Sequence, residues 1–197
     1  KKQKGTEHPV EVKMAKTMAK TLFTVGLLAL LLAVPAFAAS INKSVKVGAG
    51  ETSGGATSVN GSVTVGENAV VTGGVKTVNG SIRVDDGAKI ENASTVNGRV
   101  RIGDNVEADD LSTVNGTVRV GRSSTVDGEI EAVNGKISVD AGSTIADNVS
   151  NVNGHIELTG AEIGGDVTTV TGDVSLSGSA LVKGDLVVEK PSNFFFF

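Results

Sequence analysis

The sequence has no cysteine, tryptophan or tyrosine among its 197 residues, and only three prolines and two histidines. Without cysteine there are no disulfides and no thiol to carry a lipid anchor at a processed N-terminus. Phenylalanine occurs at 23 and 37 and again only at 194–197. A globular core of this length normally takes much of its bulk from aromatic side chains. Here valine and isoleucine must fill the interior, and 26 glycines accompany them. β-branched residues with many glycines suit short strands joined by tight corners. Nowhere in the repeating part is there a stretch long enough for an amphipathic helix.

The N-terminal part reads differently. Residues 1–13 precede the first methionine and read as translated from upstream of the true start, outside the fold. From Met14 the chain runs "MAKTMAKTLFTVGLLALLLAVPAFAAS". Lys16 and Lys20 give a positive start, residues 22–34 an apolar run, Pro35 a break, and Ala36-Phe37-Ala38 a small-x-small cleavage site. Residues 14–38 thus have the form of a secretory signal peptide. The apolar run is shorter than the roughly 20 residues of a membrane span. Cleavage after Ala38 leaves 159 residues with 12 basic and 20 acidic side chains, a net charge of −8, and no transmembrane span. Such a chain repels phosphates, so nucleic acid is not an expected partner. The expected location is outside the cytoplasm: periplasm, cell envelope or medium.

From residue 41 the sequence repeats. Val-Asn-Gly begins at 59, 78, 96, 114, 133 and 152, with a variant Val-Thr-Gly at 170 and Ile-Asn-Lys at 41. The steps are 18 or 19 residues, a period that marks solenoids. Four and six residues after each first position lie apolar residues, as in Val118-Arg119-Val120, the alternation of a strand with one buried face. A third apolar column is expected at Val71, Ile90, Val106, Val126, Ile145 and Ile163. A fourth is expected at Val75, Leu111, Ile130, Val149, Val167 and Leu186. One unit cannot bury these residues, but stacked units can. The expected fold is all-β: one elongated domain, residues 39–188, forming a parallel β-helix of about eight 18–19-residue coils. The uneven inward steps, unlike a strict six-residue spacing, favour a right-handed helix. Residues 189–197 form a C-terminal tail, and the run 194–197, foreign to the rest, reads as a hydrophobic docking segment or as the product of a truncated frame.

The repeat corners are expected at Asn60-Gly61, Asn79-Gly80, Asn97-Gly98, Asn115-Gly116, Asn134-Gly135 and Asn153-Gly154, because Asn-Gly tolerates positive φ. The stacked asparagines are also placed to form an amide ladder. Neither role is catalytic. His155 occupies a slot filled elsewhere by Ser62, Ser81, Arg99, Thr117 and Lys136, hence an exposed position. Glu107, Asp109 and Asp110 read as a solvated acidic edge. With coils differing by one residue there is no insertion to build a cleft, so an enzyme is not expected, and no cofactor or metal site is read. Arg83, Arg101 and Arg119 fall in one outward column and form a candidate stripe for a partner. A Thr/Ser-Val-Asn column (Ser58, Thr77, Thr95, Thr113, Thr169) suggests, as a lesser reading, an outward ice-binding array.

The aromatic-poor, glycine-punctuated Val/Ile repeat resembles the bactofilins, bacterial polymer-forming proteins. "VGENAVVTGGVKTVNG" (65–80) and "LSGSALVKGDLVVEK" (176–190) carry the likeness, which spans about residues 41–188. It implies a right-handed β-helix whose subunits join end to end. Bactofilins are typically cytoplasmic, and the leader here implies an exported form. The expected function is an exported structural protein, self-associating into filaments or an envelope scaffold with itself as partner. The alternative is a surface adhesin or a binder of anionic envelope polysaccharide.

Overall fold

The structure, a computed structural model, describes residues 41–189, and the expected leader, its cleavage site and the residues of the tail beyond 189 lie outside them. The described residues belong to one compact unit of the chain. They form an all-β parallel solenoid of eight coils, each with three short strands. In the first coil these are Val45–Val47, Thr52–Ser53 and Ala56–Ser58. In the last they are Val174–Ser177, Leu181–Val182 and Leu186–Val188. Each strand pairs in parallel with its counterparts in the neighbouring coils. One sheet collects the first and third faces, and another the second face. In the middle of the molecule Leu111–Val120 and Ile130–Val139 run unbroken from the third face of one coil into the first face of the next.

The alternating pattern builds the core. Val63, Ile82, Val100, Val118, Ile137 and Ile156 stack in register and are fully buried, as are Val65, Val120, Val139 and Leu158. Burying a side chain of this size is worth about 1.5–3 kcal/mol. The third column differs from the sequence reading at one place. Ala108, not Val106, stands between Ile90 and Val126, since Glu107 and Ala108 pair with Thr125 and Val126. Val106 lies one inward position earlier, in a column of small residues with Ala69, Ala88, Ser124, Ser143 and Ala161, all buried. A valine there compensates the small alanine two residues later. The fourth column is Ala56, Val75, Ala93, Leu111, Ile130, Val149, Val167 and Leu186.

These registers also show where coil length varies. From the first inward residue of the third strand to that of the next first strand the step is always seven: Val75 to Ile82, Leu111 to Val118, Val167 to Val174. Length varies elsewhere: the step from second to third strand is four or three, as in Val71 to Val75 against Ala108 to Leu111, and the step from first to second strand shortens from six, as in Val139 to Ile145, to five from Leu158 to Ile163.

The constant seven-residue segment contains Thr-Val-Asn-Gly. Thr77, Thr95 and Thr113 point inward and are buried. Their hydroxyls donate to the carbonyls of Gly61, Gly80 and Gly98 in the preceding coil, at 2.8, 3.0 and 3.2 Å. Asn151 replaces threonine in this column and donates Nδ2 to Gly135 O at 2.8 Å. These buried donors are thus partnered across coils, as low-dielectric surroundings demand, whereas Ser94 Oγ and Asn151 Oδ1 are buried without a hydrogen-bond partner among the described residues. The outward ice-binding reading is therefore corrected: the threonine column faces the core.

The glycine has a different task from the one read from sequence. φ is positive at Gly135 and Gly154, but not at Gly61, Gly80, Gly98 or Gly116, nor at the paired asparagines 60, 79, 97, 115, 134 and 153. A Cβ at Gly80, Gly98, Gly116, Gly135 or Gly154 would overlap the carbonyl of the glycine one coil below. Close backbone approach excludes other residues at all five, and at Gly135 and Gly154 the positive φ adds to it. The left-handed corner lies after the first strand, at Asn68, Gly87, Asn105, Ser123 and Gly142, with φ of 54–76°.

Two outcomes follow for stability. Gly116→Ala should destabilise the solenoid by about 1–3 kcal/mol, the usual cost of overpacking. Gly54→Ala, where a Cβ meets nothing within 4 Å, should stay within about 0.5 kcal/mol. Urea unfolding followed by circular dichroism compares the two. Val100→Asp or Val118→Asp buries an unpaired charge and should abolish the cooperative transition; a folded variant of wild-type stability would contradict the core assignment.

Candidate functional site

Three surfaces carry the side chains that sequence reading singled out. The first is the asparagine column. Each Nδ2 donates to the Oδ1 of the coil below: Asn60 to Asn42, Asn79 to Asn60, Asn97 to Asn79, Asn115 to Asn97, Asn134 to Asn115 and Asn153 to Asn134, at 2.8–3.0 Å. Parallel register at a strand spacing of about 4.8 Å permits this amide-on-amide chain. The exposed asparagines therefore spend an acceptor and a donor on each other. This column ends at Thr171, which pairs with Asn153.

The second surface is the first face. Arg83, Arg101 and Arg119 are direct neighbours on adjacent strands and all exposed. Like charges so placed repel unless compensated. Arg83 donates from Nε to Asp85 at 2.7 Å, and Arg119 from a terminal nitrogen to Asp140 at 2.8 Å. Arg101 makes no ion pair among the described residues. Beside it, Asp104 accepts from the Arg122 backbone N–H and guanidinium, each at 2.8 Å. The backbone hydrogen bond, then the guanidinium, hold the Asp104 carboxyl below the usual carboxylate range, and Arg122 is raised in turn. Glu157 is lowered by the Lys136 ammonium bonded to it. The stripe is thus neutralised along its corner and left cationic at its centre.

Acidic residues of the second face and its corner have structural partners. Lys89 bonds Glu107 at 2.7 Å. Asp110 accepts the backbone N–H of Glu129 at 3.1 Å, and Asn92 accepts that of Asp110 at 3.2 Å. Asn148 and Asp166 repeat the arrangement toward Asp166 and Asp185. These side chains tie one turn to the next. His155 is exposed and lies 3.5 Å from Asp173. Among the described residues no group of three His, Cys, Asp or Glu is placed to hold a metal ion. No helix among them is long and apolar enough to cross a membrane.

The third surface is the C-terminal end, where sequence reading placed Leu186 in the fourth inward column. Leu176, Leu186 and Val188 occupy inward columns yet are 42%, 49% and 43% exposed, because no coil covers them within the described chain. Leu181, on the outer second face, is 51% exposed. The signal was present in the repeat: a residue in an inward column of the last copy has a neighbour on one side only.

Comparison with known proteins finds no match: no family profile fits the chain, no characterised protein aligns with it, and no solved structure superposes on it.

A pH experiment tests the corner pairs. Because the folded carboxyls of Asp104 and Glu157 titrate below their ordinary values, their contribution is full above about pH 4–5 and lost as pH falls through the folded values. Asp104→Asn keeps an acceptor for the Arg122 N–H but removes the charge. Its melting temperature should lie below wild type at pH 7 and converge with it near pH 2. A difference that persists unchanged at pH 2 would exclude the charged pair as its source.

Proposed function

We propose that this is an exported structural protein that self-associates through its coil ends into filaments or an envelope-associated scaffold. The observation that carries the reading is the last described coil: among the described residues its three strands pair on one edge only, and its inward Leu176, Leu186 and Val188 stay 42%, 49% and 43% exposed. Unpaired strand edges over exposed apolar residues invite another chain. The bactofilin-like patterning supports the same reading, and the signal-peptide form of the sequence over residues 14–38 supports export.

A second reading rests on Arg101, flanked by Arg83 and Arg119. A column of guanidinium groups about 4.8 Å apart matches a linear polyanion such as an acidic envelope polysaccharide.

Negative-stain electron microscopy of the full chain, and of a version starting at Ala39, should show filaments longer than one eight-coil rod. Single short rods across protein concentrations and salt would overturn the structural reading. Co-sedimentation with an acidic polysaccharide tests the second. Saturable binding that falls at least tenfold with Arg101→Glu, and weakens with salt, would favour it.

A further inference from the structure

The arginine column has a fourth member beside it. Val100 is fully buried, and the residues on either side of it, Arg99 and Arg101, are both exposed. They leave one strand on the same side, two residues and about 6.6 Å apart. Neither makes an ion pair among the described residues, whereas Arg83, Arg119 and the nearby Arg122 each hold a carboxylate. The fourth coil thus presents two uncommitted guanidinium groups side by side. Building on the arginine reading above, on which this inference rests, we propose that Arg99 and Arg101 together anchor a carboxylate of an acidic polysaccharide, with Arg83 and Arg119 steering the polymer along the axis on either side.

The distribution of acids supplies the first argument. Asp85, Asp104 and Asp140 all follow the second inward residue of their strands, at the corner that leads to the second face. The Asp104 carboxylate is taken up by the backbone and guanidinium of Arg122. Arg99 stands on the opposite side of the strand, next to the bend. Its counterparts in the neighbouring coils are Ser81 and Thr117, one step before Ile82 and Val118. No carboxylate enters this column before Asp173, in the last described coil. The field of the arginines is therefore cancelled toward the corner and open toward the bend, and an anion is drawn to that side.

The chemistry of the neighbours supplies the second. A planar carboxylate offers two oxygens, which a guanidinium fork takes in parallel hydrogen bonds, and two forks at this spacing can close on one carboxylate from both sides. The Ser81 and Thr117 hydroxyls lie one strand away on either side of Arg99, about 4.8 Å off, and can donate to or accept from sugar hydroxyls. No aromatic residue occurs between 38 and 193, so no ring on this face stacks against a sugar, and binding by charge weakens with salt. The track is also short. Arg83 and Arg119 lie about 9.6 Å apart across Arg101. Beyond them the column continues with Thr64 on one side and with Ser138 and then Glu157 on the other. One rod therefore takes one short stretch of polymer, over the third to fifth coils.

Titration calorimetry of the full chain with a polygalacturonate oligomer at low salt tests the anchor. Arg99→Gln and Arg101→Gln should each weaken binding about tenfold, the worth of a hydrogen bond to a charged group. Lys89→Gln removes the same charge from the second face and should stay within about twofold. Circular dichroism melts of all three should match wild type, since each residue is exposed. A loss with Arg101→Gln but none with Arg99→Gln would overturn the anchor while leaving the arginine column as the site. An equal loss with Lys89→Gln would overturn any local site in favour of net charge. Inorganic polyphosphate displacing the oligomer at a lower concentration would overturn the carboxylate as the group held. A wild-type chain that does not bind the oligomer would overturn both the anchor and the arginine reading.

Discussion

The structure depends on one constraint: the carbonyl of a glycine in each Val-Asn-Gly lies where the Cβ of the next coil's residue would be. That approach fixes how closely successive coils sit at the bend between the third and first faces. Once they are this close, the backbone amides of adjacent coils are in hydrogen-bonding register, the asparagine amides reach one another, and the threonine hydroxyl reaches the glycine carbonyl. The seven-residue step around the bend does not vary because every one of these contacts would slip together. Coil length varies instead at the other two corners, and between the second and third strands side chains such as Asp110 and Asn148 bridge to whichever amide comes next.

The interior is accordingly not purely apolar. Ser124 donates to Gly103 O at 3.0 Å and accepts the Val106 N–H at 3.1 Å, and Ser143 donates to Gly121 O at 2.6 Å while accepting the Ser124 N–H. Buried hydroxyls of this kind are tolerated because each has a backbone partner one coil away. They also demand the right neighbour: an interior built from oriented hydrogen bonds resists sliding of one coil over another more than valine stacks alone. Order along the axis therefore comes from polar groups, and bulk stabilisation from the apolar columns.

Much of this was legible in the sequence. The period of Val-Asn-Gly and the Val118-x-Val120 alternation led to parallel coils and to the first, second and fourth inward columns. The third column went astray at Val106, because alternation cannot distinguish two inward positions two residues apart when one copy carries valine and alanine in exchanged places. The threonine column was assigned to the outside for a related reason. Threonine suits an exposed strand, and only the carbonyl of Gly61, Gly80 or Gly98 beneath it accounts for its burial. The role of glycine was misread because conformational freedom and absence of a side chain look the same in a sequence. The arginine column was visible, whereas its compensation by Asp85 and Asp140 depends on which way each side chain leans. The open apolar end needed knowledge of where the last coil stops.

The invariant bend has a consequence for how such a chain changes in length. Because each coil meets the next through the same seven-residue segment, the fold contains a natural unit of exchange. Duplication or loss of one unit of 18 or 19 residues inserts or removes a rung while preserving every junction on either side. The asparagine chain, the apolar columns and the close glycine approach each gain or lose one rung, so the number of coils can change without altering any contact between neighbouring coils.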